Sequence, residues 1–228
     1  MSDFFSVFQQ YGAEWWPRLL QAAYMTAALS VAGFGMAFAV GAVLVAMVRS
    51  GRPLLRLAAN TFIQVVRTVP LLALLLTLYF ALPPLGITLS GFWAGVLGLG
   101  LHGAAYVAEI LRGGLQSIHR GQREAGLAVG LTPHQVFVQV VFPQALRAML
   151  PALVNTYVAL LKDSSLCALI ATDELMLAAR AMSSEYFLPL HIFLLVGLFY
   201  FAIAFPLSML SRVLERRLSR GRRVMGAT

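Results

Sequence analysis

Residues 19–48 run without a single charged side chain. A helix of roughly 20 mostly apolar residues is enough to cross a bilayer, so a run this long constrains the chain more than any other feature. Further apolar stretches follow at residues 57–82, 89–111, 150–171 and 190–210. The predicted fold class is therefore all-α integral membrane, with about five transmembrane helices. Composition agrees. Of 228 residues, 60% are hydrophobic and 11% charged, and the mean hydropathy is +0.81, which leaves room for one membrane domain.

Charge placement supplies a topology. The net charge of +8 does not point to nucleic acid, because the basic residues flank apolar spans instead of covering a soluble face. Arg49, Arg52, Arg56, Arg112, Arg120, Arg123, Arg147 and six arginines between Arg212 and Arg223 fall in segments on one side, 13 of the 17 basic residues. Arg18 and Arg180 fall on the other, and Arg67 and Lys162 lie within spans. The positive-inside rule then predicts an N-terminus outside and a C-terminus inside. With acids and no early basic cluster, residues 1–16 do not resemble a cleaved signal peptide.

Along the chain, Phe4, Phe5, Phe8, Trp15 and Trp16 predict an interfacial helix over residues 1–18, ending at Pro17. Small residues at four-residue spacing, such as Ala37 and Gly41, predict close helix contacts for the first span. In the second, Arg67 precedes Thr68-Val69-Pro70. A charge in a span costs about 2.5–3.5 kcal/mol on insertion scales, and a proline removes one backbone hydrogen bond, so an interrupted helix facing the protein interior is expected. The glycine-rich third span carries His102, Tyr106, Glu109 and Arg112 along one stripe, with Glu109 and Arg112 positioned to pair.

Residues 113–147 form a polar island. A helix over residues 122–129, a break at Gly130-Leu131, a Thr132 N-cap with Pro133 after it, and a second helix ending at Val141 predict a compact knob. The fourth span places Thr156 and Asp163 on one face, and Asn155 and Lys162 on another. Residues 172–188 read as an acidic outer loop. Residues 212–228 read as a basic cytoplasmic tail, with Glu215 in the last helical turn.

Several activities are excluded or disfavoured. The only lysine, Lys162, follows Leu161, so the chain lacks a phosphate-cradling Gly-Lys-Ser/Thr loop. The single cysteine, Cys167, allows neither an internal disulfide nor a cysteine-cluster metal site. An intramembrane enzyme using His102, Glu109, His119 or Asp163 is an alternative, but these residues lack metalloprotease spacing, and no catalytic or metal residue is assigned. An ATP-independent channel is a further alternative, against which the knob argues.

Glu124-Ala125-Gly126, Gly130 and Phe142-Pro143 follow the spacing of the EAA loop of ATP-binding-cassette (ABC) importer permeases. The flanking Arg112-Gly113-Gly114-Leu115-Gln116-Ser117-Ile118, Gly121-Gln122, Pro143-Gln144-Ala145-Leu146-Arg147 and Lys162-Asp163-Ser164-Ser165-Leu166 resemble the polar amino-acid branch of the type I family. The resemblance covers residues 19–218. It implies a transport subunit, not an enzyme, in a bacterial cytoplasmic (inner) membrane. Its implied partners are an ABC ATPase dimer, a second permease subunit, either a copy or a paralogue, and a periplasmic or extracellular substrate-binding protein. It implies no cofactor of the chain's own, since ATP and Mg would be bound by the ATPase. By the same resemblance Glu124, Ala125, Gly126, Gly130, Thr132 and Pro133 map onto the ATPase-coupling element. The sequence departs from the pattern at Gly126 for alanine, Phe142 for leucine and His119 for proline; Gly126 lowers helix propensity by roughly 1 kcal/mol.

A zwitterion crossing the membrane needs a cation for its carboxylate and an anion for its ammonium. Arg67 beside the Pro70 break and Asp163 are such a pair, with hydroxyls from Thr68 and Ser164 and a side-chain contact from Thr156. The competing role is a structural ion pair between spans, or Asp163 pairing with Lys162 or with the second subunit. The uncharged Thr156 favours a polar neutral amino acid.

Overall fold

The computed structural model describes residues 2–219, and these are helical almost throughout. Arg220, Arg222 and Arg223, with most of the expected basic tail, lie outside the described residues. The helices are α1 (Ser2–Arg49), α2 (Pro53–Thr68), α3 (Leu71–Ala81), α4 (Gly91–Gln116), α5 (Arg120–Ala128), α6 (Pro133–Gln135), α7 (Phe142–Asp163), α8 (Leu175–Tyr186) and α9 (Pro189–Ser219). Among the described residues four segments are long and apolar enough to cross a membrane, and the bent pair α2 and α3, taken as one span, makes a fifth.

Helix α4 sits at the centre, against α1, α2, α3 and α7. Its glycines make this possible. A Cβ on Gly103 would lie 2.9 Å from the Ala37 Cβ of α1 and 2.8 Å from a Leu160 methyl of α7, so one glycine admits both neighbours. A Cβ on Gly41 would lie 2.9 Å from Val107, the small-residue contact expected between the first span and its neighbour. The main core gathers Leu29, Ala37 and Leu44 of α1 with Leu99, Ala104 and Val107 of α4 and Leu160 of α7. A second cluster, formed by Trp15 and Leu19 of α1, Met182 of α8 and Ile192 of α9, closes the other end of α1.

The bend between α2 and α3 is 105°. Pro70 has no N–H to continue the helix, and it holds Val69 in an extended conformation (φ −83°, ψ 128°), as residues before proline prefer. The Thr68 hydroxyl donates to the carbonyls of Gln64 and Val65, satisfying the helix end. The expected interruption is there, but the face carrying Arg67, Thr68 and Pro70 is exposed on this single chain and does not turn inward.

Elsewhere the structure corrects the sequence reading. No break occurs at Pro17. Residues 2–49 form one helix of 48 residues, so the interfacial segment and the first span are a single rod about 72 Å long. Proline costs one backbone bond there, while Trp15 and Leu19 on either side are fully buried against α8 and α9 and hold the helix together. Nor does the chain break at Phe142-Pro143. Six residues of π-helix (Val136–Val141) lead straight into α7, with the Phe142 N–H reaching back to the Phe137 carbonyl. The wider turn absorbs the missing Pro143 donor, and the Gln144 side chain donates to the Val140 carbonyl.

Residues 172–188 are not an acidic loop, for α8 occupies most of them. Glu174, expected in solvent, is fully buried as the N-cap of α8. Its carboxylate accepts from the Leu177 N–H at 2.9 Å and from the Tyr200 hydroxyl at 2.7 Å. Burial pushes this carboxyl above the usual range, while these donors pull it back down. Arg18 and Glu185 pair at 2.8 Å on the surface nearby.

Candidate functional site

Two places gather the polar chemistry, a knob between α4 and α7 and a cavity between the same two helices. The knob is built from local rules. His119 caps α5, its Nδ1 accepting from the Gly121 N–H at 3.1 Å. The helix ends where Gly130 takes φ 88°, with the Gly130 N–H on the Leu127 carbonyl and the Leu131 N–H on the Gly126 carbonyl. These are the two bonds of a Schellman cap, which glycine supplies without a Cβ penalty. Thr132 then opens α6 in a reciprocal capping box with Gln135, and Pro133 takes the first helical position.

Glu124 and Ala125 are exposed on α5, while Gly126 is buried against Val136 of the π segment. The departure from alanine at this position thus has a packing reason, since a Cβ on Gly126 would stand 2.9 Å from a Val136 methyl. Val129 (77% exposed) and Leu127 (48% exposed) leave apolar surface on the knob. Gly126→Ala is expected to lower stability by about 1–2 kcal/mol, overpacking outweighing the gain in helix propensity. Val136→Ala in the same chain should restore it. Thermal unfolding of the single and double variants checks this, and a single variant as stable as the parent removes the packing argument.

The cavity, of about 260 Å³, is lined by His102, Gly103 and Tyr106 of α4 and by Thr156, Ala159, Leu160 and Asp163 of α7. Asp163 ends α7, where the helix dipole is negative and a carboxylate is the unfavourable sign. Among the described residues it makes neither a salt bridge nor a hydrogen bond. His102 is half-buried, with its Nδ1 buried and unpartnered. The Thr156 hydroxyl donates to the Ala152 carbonyl at 3.0 Å, which leaves its lone pairs for a ligand. The Arg67 guanidinium stands 5.8 Å from the centre of the Tyr106 ring, so the cation borders the cavity through that aromatic face.

Of the residues the sequence assigned to substrate, Thr156 and Asp163 share the cavity, and Arg67 stands beside it with Pro70 on the same exposed edge. The hydroxyl of Thr68 is used by its own backbone. Ser164 is fully buried, its hydroxyl donated to the Leu161 carbonyl, and it does not line the cavity. The sequence marks Tyr106 only as part of a polar stripe, and His102 as part of that stripe or as a group of the alternative intramembrane enzyme. Their four-residue spacing was visible in the sequence, but the contact of α4 with α7 was not. Glu109 and Arg112 pair as the stripe suggested. Among the described residues no group of three histidine, cysteine or acidic side chains could hold a metal.

Comparison with known proteins places this architecture. Residues 33–220 match the family described as binding-protein-dependent transport system inner membrane component. The chain is 34% identical over 198 residues to the probable glutamine ABC transporter permease protein GlnM of Bacillus subtilis (strain 168), covering 86% of this chain and 91% of that one. It is 37% identical over 205 residues to the glutamine transport system permease protein GlnP of Escherichia coli (strain K12), covering 89% and 93%. A crystal structure of an amino acid ABC transporter with histidines superimposes with a TM-score of 0.84 at 30% identity, covering 94% of this chain and 98% of that one. A family match across most of the chain, near-full-length relatives and a shared helical frame agree: the chain belongs to the binding-protein-dependent transport system inner membrane components, as a type I ABC importer permease subunit that works with a separate ATPase.

Proposed function

We propose that the chain passes polar amino acids across the membrane by alternating access, and that its cavity between α4 and α7 holds the zwitterion. The observation that carries this reading is the Asp163 carboxylate, without a salt bridge or hydrogen bond among the described residues, facing a cavity bordered by Arg67. The substrate ammonium meets Asp163, its carboxylate meets Arg67, and His102, Tyr106 and Thr156 contact the remainder. The lining holds no second carboxylate for a cationic side chain, which favours a polar neutral substrate. The names of the two relatives support glutamine as the first to test.

The knob of Glu124, Ala125, Gly126, Gly130, Thr132 and Pro133 is the ATPase dock, a rigid turn able to pass a movement into α4 and α7. ATP and Mg are bound by that partner, and this chain needs no cofactor. A second permease subunit covers the exposed face of α2 and α3, and an external binding protein delivers substrate. The arginine distribution favours an N-terminus outside and a C-terminus inside.

Reconstitution tests the reading. The chain, co-expressed with its ATPase and second permease subunit and placed in liposomes, should take up glutamine or another neutral polar amino acid only when ATP and the binding protein are both supplied. Flux without ATP, or uptake confined to substrates lacking an α-ammonium, would overturn it.

A further inference from the structure

A groove of about 250 Å³ opens between the end of α1 and the knob, lined by Arg49, Arg123, Leu127, Pro133, Val136, Phe137 and Val141. Two guanidiniums stand over an otherwise apolar trough, and neither is in a salt bridge among the described residues. Arg49 closes the last turn of a membrane helix, with Arg52 and Arg56 just beyond it. Leu54 (79% exposed) and Leu57 (64% exposed) follow within the next turns, so the turn after α1 sets arginines beside exposed apolar side chains, the pattern of a membrane–water interface. On α5, Arg123 and Leu127 lie four residues apart on one face, whereas Glu124 and Ala128 share the next face, turned by about 100°. The Arg123 and Glu124 faces of α5 are therefore different surfaces, and of the knob residues assigned to coupling only Pro133 also lines the groove.

We infer that this groove is a binding site for an anionic phospholipid, its phosphate held between Arg49 and Arg123 and its acyl chain lying along Leu127, Val136, Phe137 and Val141. Charge complementarity and depth both select this occupant. A basic pocket at the headgroup level of a helical membrane protein suits a lipid phosphate, and the apolar floor suits the chain attached to it. A lipid held there would bridge α1 to the knob, so the composition of the leaflet would bear on how firmly the knob is seated.

The test uses the assembled complex, purified in detergent with equal amounts of phosphatidylglycerol and phosphatidylcholine, with retained lipid measured by native mass spectrometry. The parent complex should retain phosphatidylglycerol preferentially. The Arg49→Gln/Arg123→Gln double variant should lose that preference about 25-fold, since each arginine near an anionic surface contributes about fivefold, while the ATPase still co-purifies. Leu127→Glu, which sets a carboxylate in the trough and leaves both arginines, should lose it as well. Equal phosphatidylglycerol retention by parent and variants would overturn the assignment. So would an arginine double variant that sheds ATPase or second permease subunit with its lipid unchanged, since a protein surface would then cover the groove. Displacement of the lipid by glycerol 1-phosphate would reduce the groove to a phosphate site and likewise overturn it.

Discussion

Asp163→Asn should lower amino-acid uptake by the reconstituted complex roughly 30-fold or more while leaving the chain as stable as before or slightly more so. The expectation follows from where the carboxylate stands. It lines the cavity between α4 and α7 with neither a salt bridge nor a hydrogen bond among the described residues, so a bound ammonium would supply a direct counter-charge. Removing one side of a desolvated charge pair costs about 2–5 kcal/mol, and each 1.4 kcal/mol is tenfold in affinity. Asparagine keeps the shape and removes a negative charge from a helix C-terminus, where it is worth about 0.3–1 kcal/mol in the wrong direction. The two readouts separate the competing roles. A ligand-binding carboxylate gives lost uptake with retained stability, whereas a structural ion pair gives lower stability and lost assembly. Unchanged uptake would remove Asp163 from the transport path.

Gly91→Ala should cost about 3 kcal/mol, the upper end for overpacking, because the atoms in the way cannot move aside cheaply. Gly91 opens α4, and a Cβ there would collide with the backbone carbonyl of Ile170 and come within 2.8 Å of that of Ala171. Ala171 ends the 3₁₀ turn after α7 in a left-handed conformation (φ 54°), which lays its carbonyl over the start of α4. Gly35 provides the opposite control. It sits in α1 with open space around its Cα, so Gly35→Ala should gain up to about 1 kcal/mol of helix propensity. Thermal unfolding of both variants in detergent tests the pair. A Gly91→Ala chain that unfolds at the parent temperature would mean the close approach is not maintained in the protein.

What was legible in the sequence follows the range over which each signal acts. Short-range rules read well. Gly130 as a left-handed stop, Thr132 with Pro133 as a helix start, Pro70 as a break and the Glu109–Arg112 pair each depend on neighbours within one turn. Apolar runs long enough to span a membrane were equally plain. The failures came where tertiary contact overrides a local preference. Pro17 and Pro143 look like stops, yet one lies in a helix clamped by Trp15 and Leu19, and the other follows a π segment that accommodates its missing donor. Glu174 looked like a loop acid because nothing near it in sequence announces Tyr200 as its donor. Ser164 and Asp163 are adjacent, yet as the helix tightens into a 3₁₀ turn one faces the cavity and the other is buried away from it.

The π segment also fixes an angle. Each residue of an α-helix turns the chain by about 100°, and a π-bulge accommodates one residue more than regular winding would. Between the cap at Thr132 and the carboxylate at Asp163 the backbone is helical without a break, so the bearing of Asp163 around the axis is set by a residue count. The extra residue works like the offset on a camshaft. It decouples the direction in which α6 leaves the knob from the direction in which α7 presents its acid. The start of this rod in the knob and its end at the cavity can thus face different directions while remaining parts of one continuous helix.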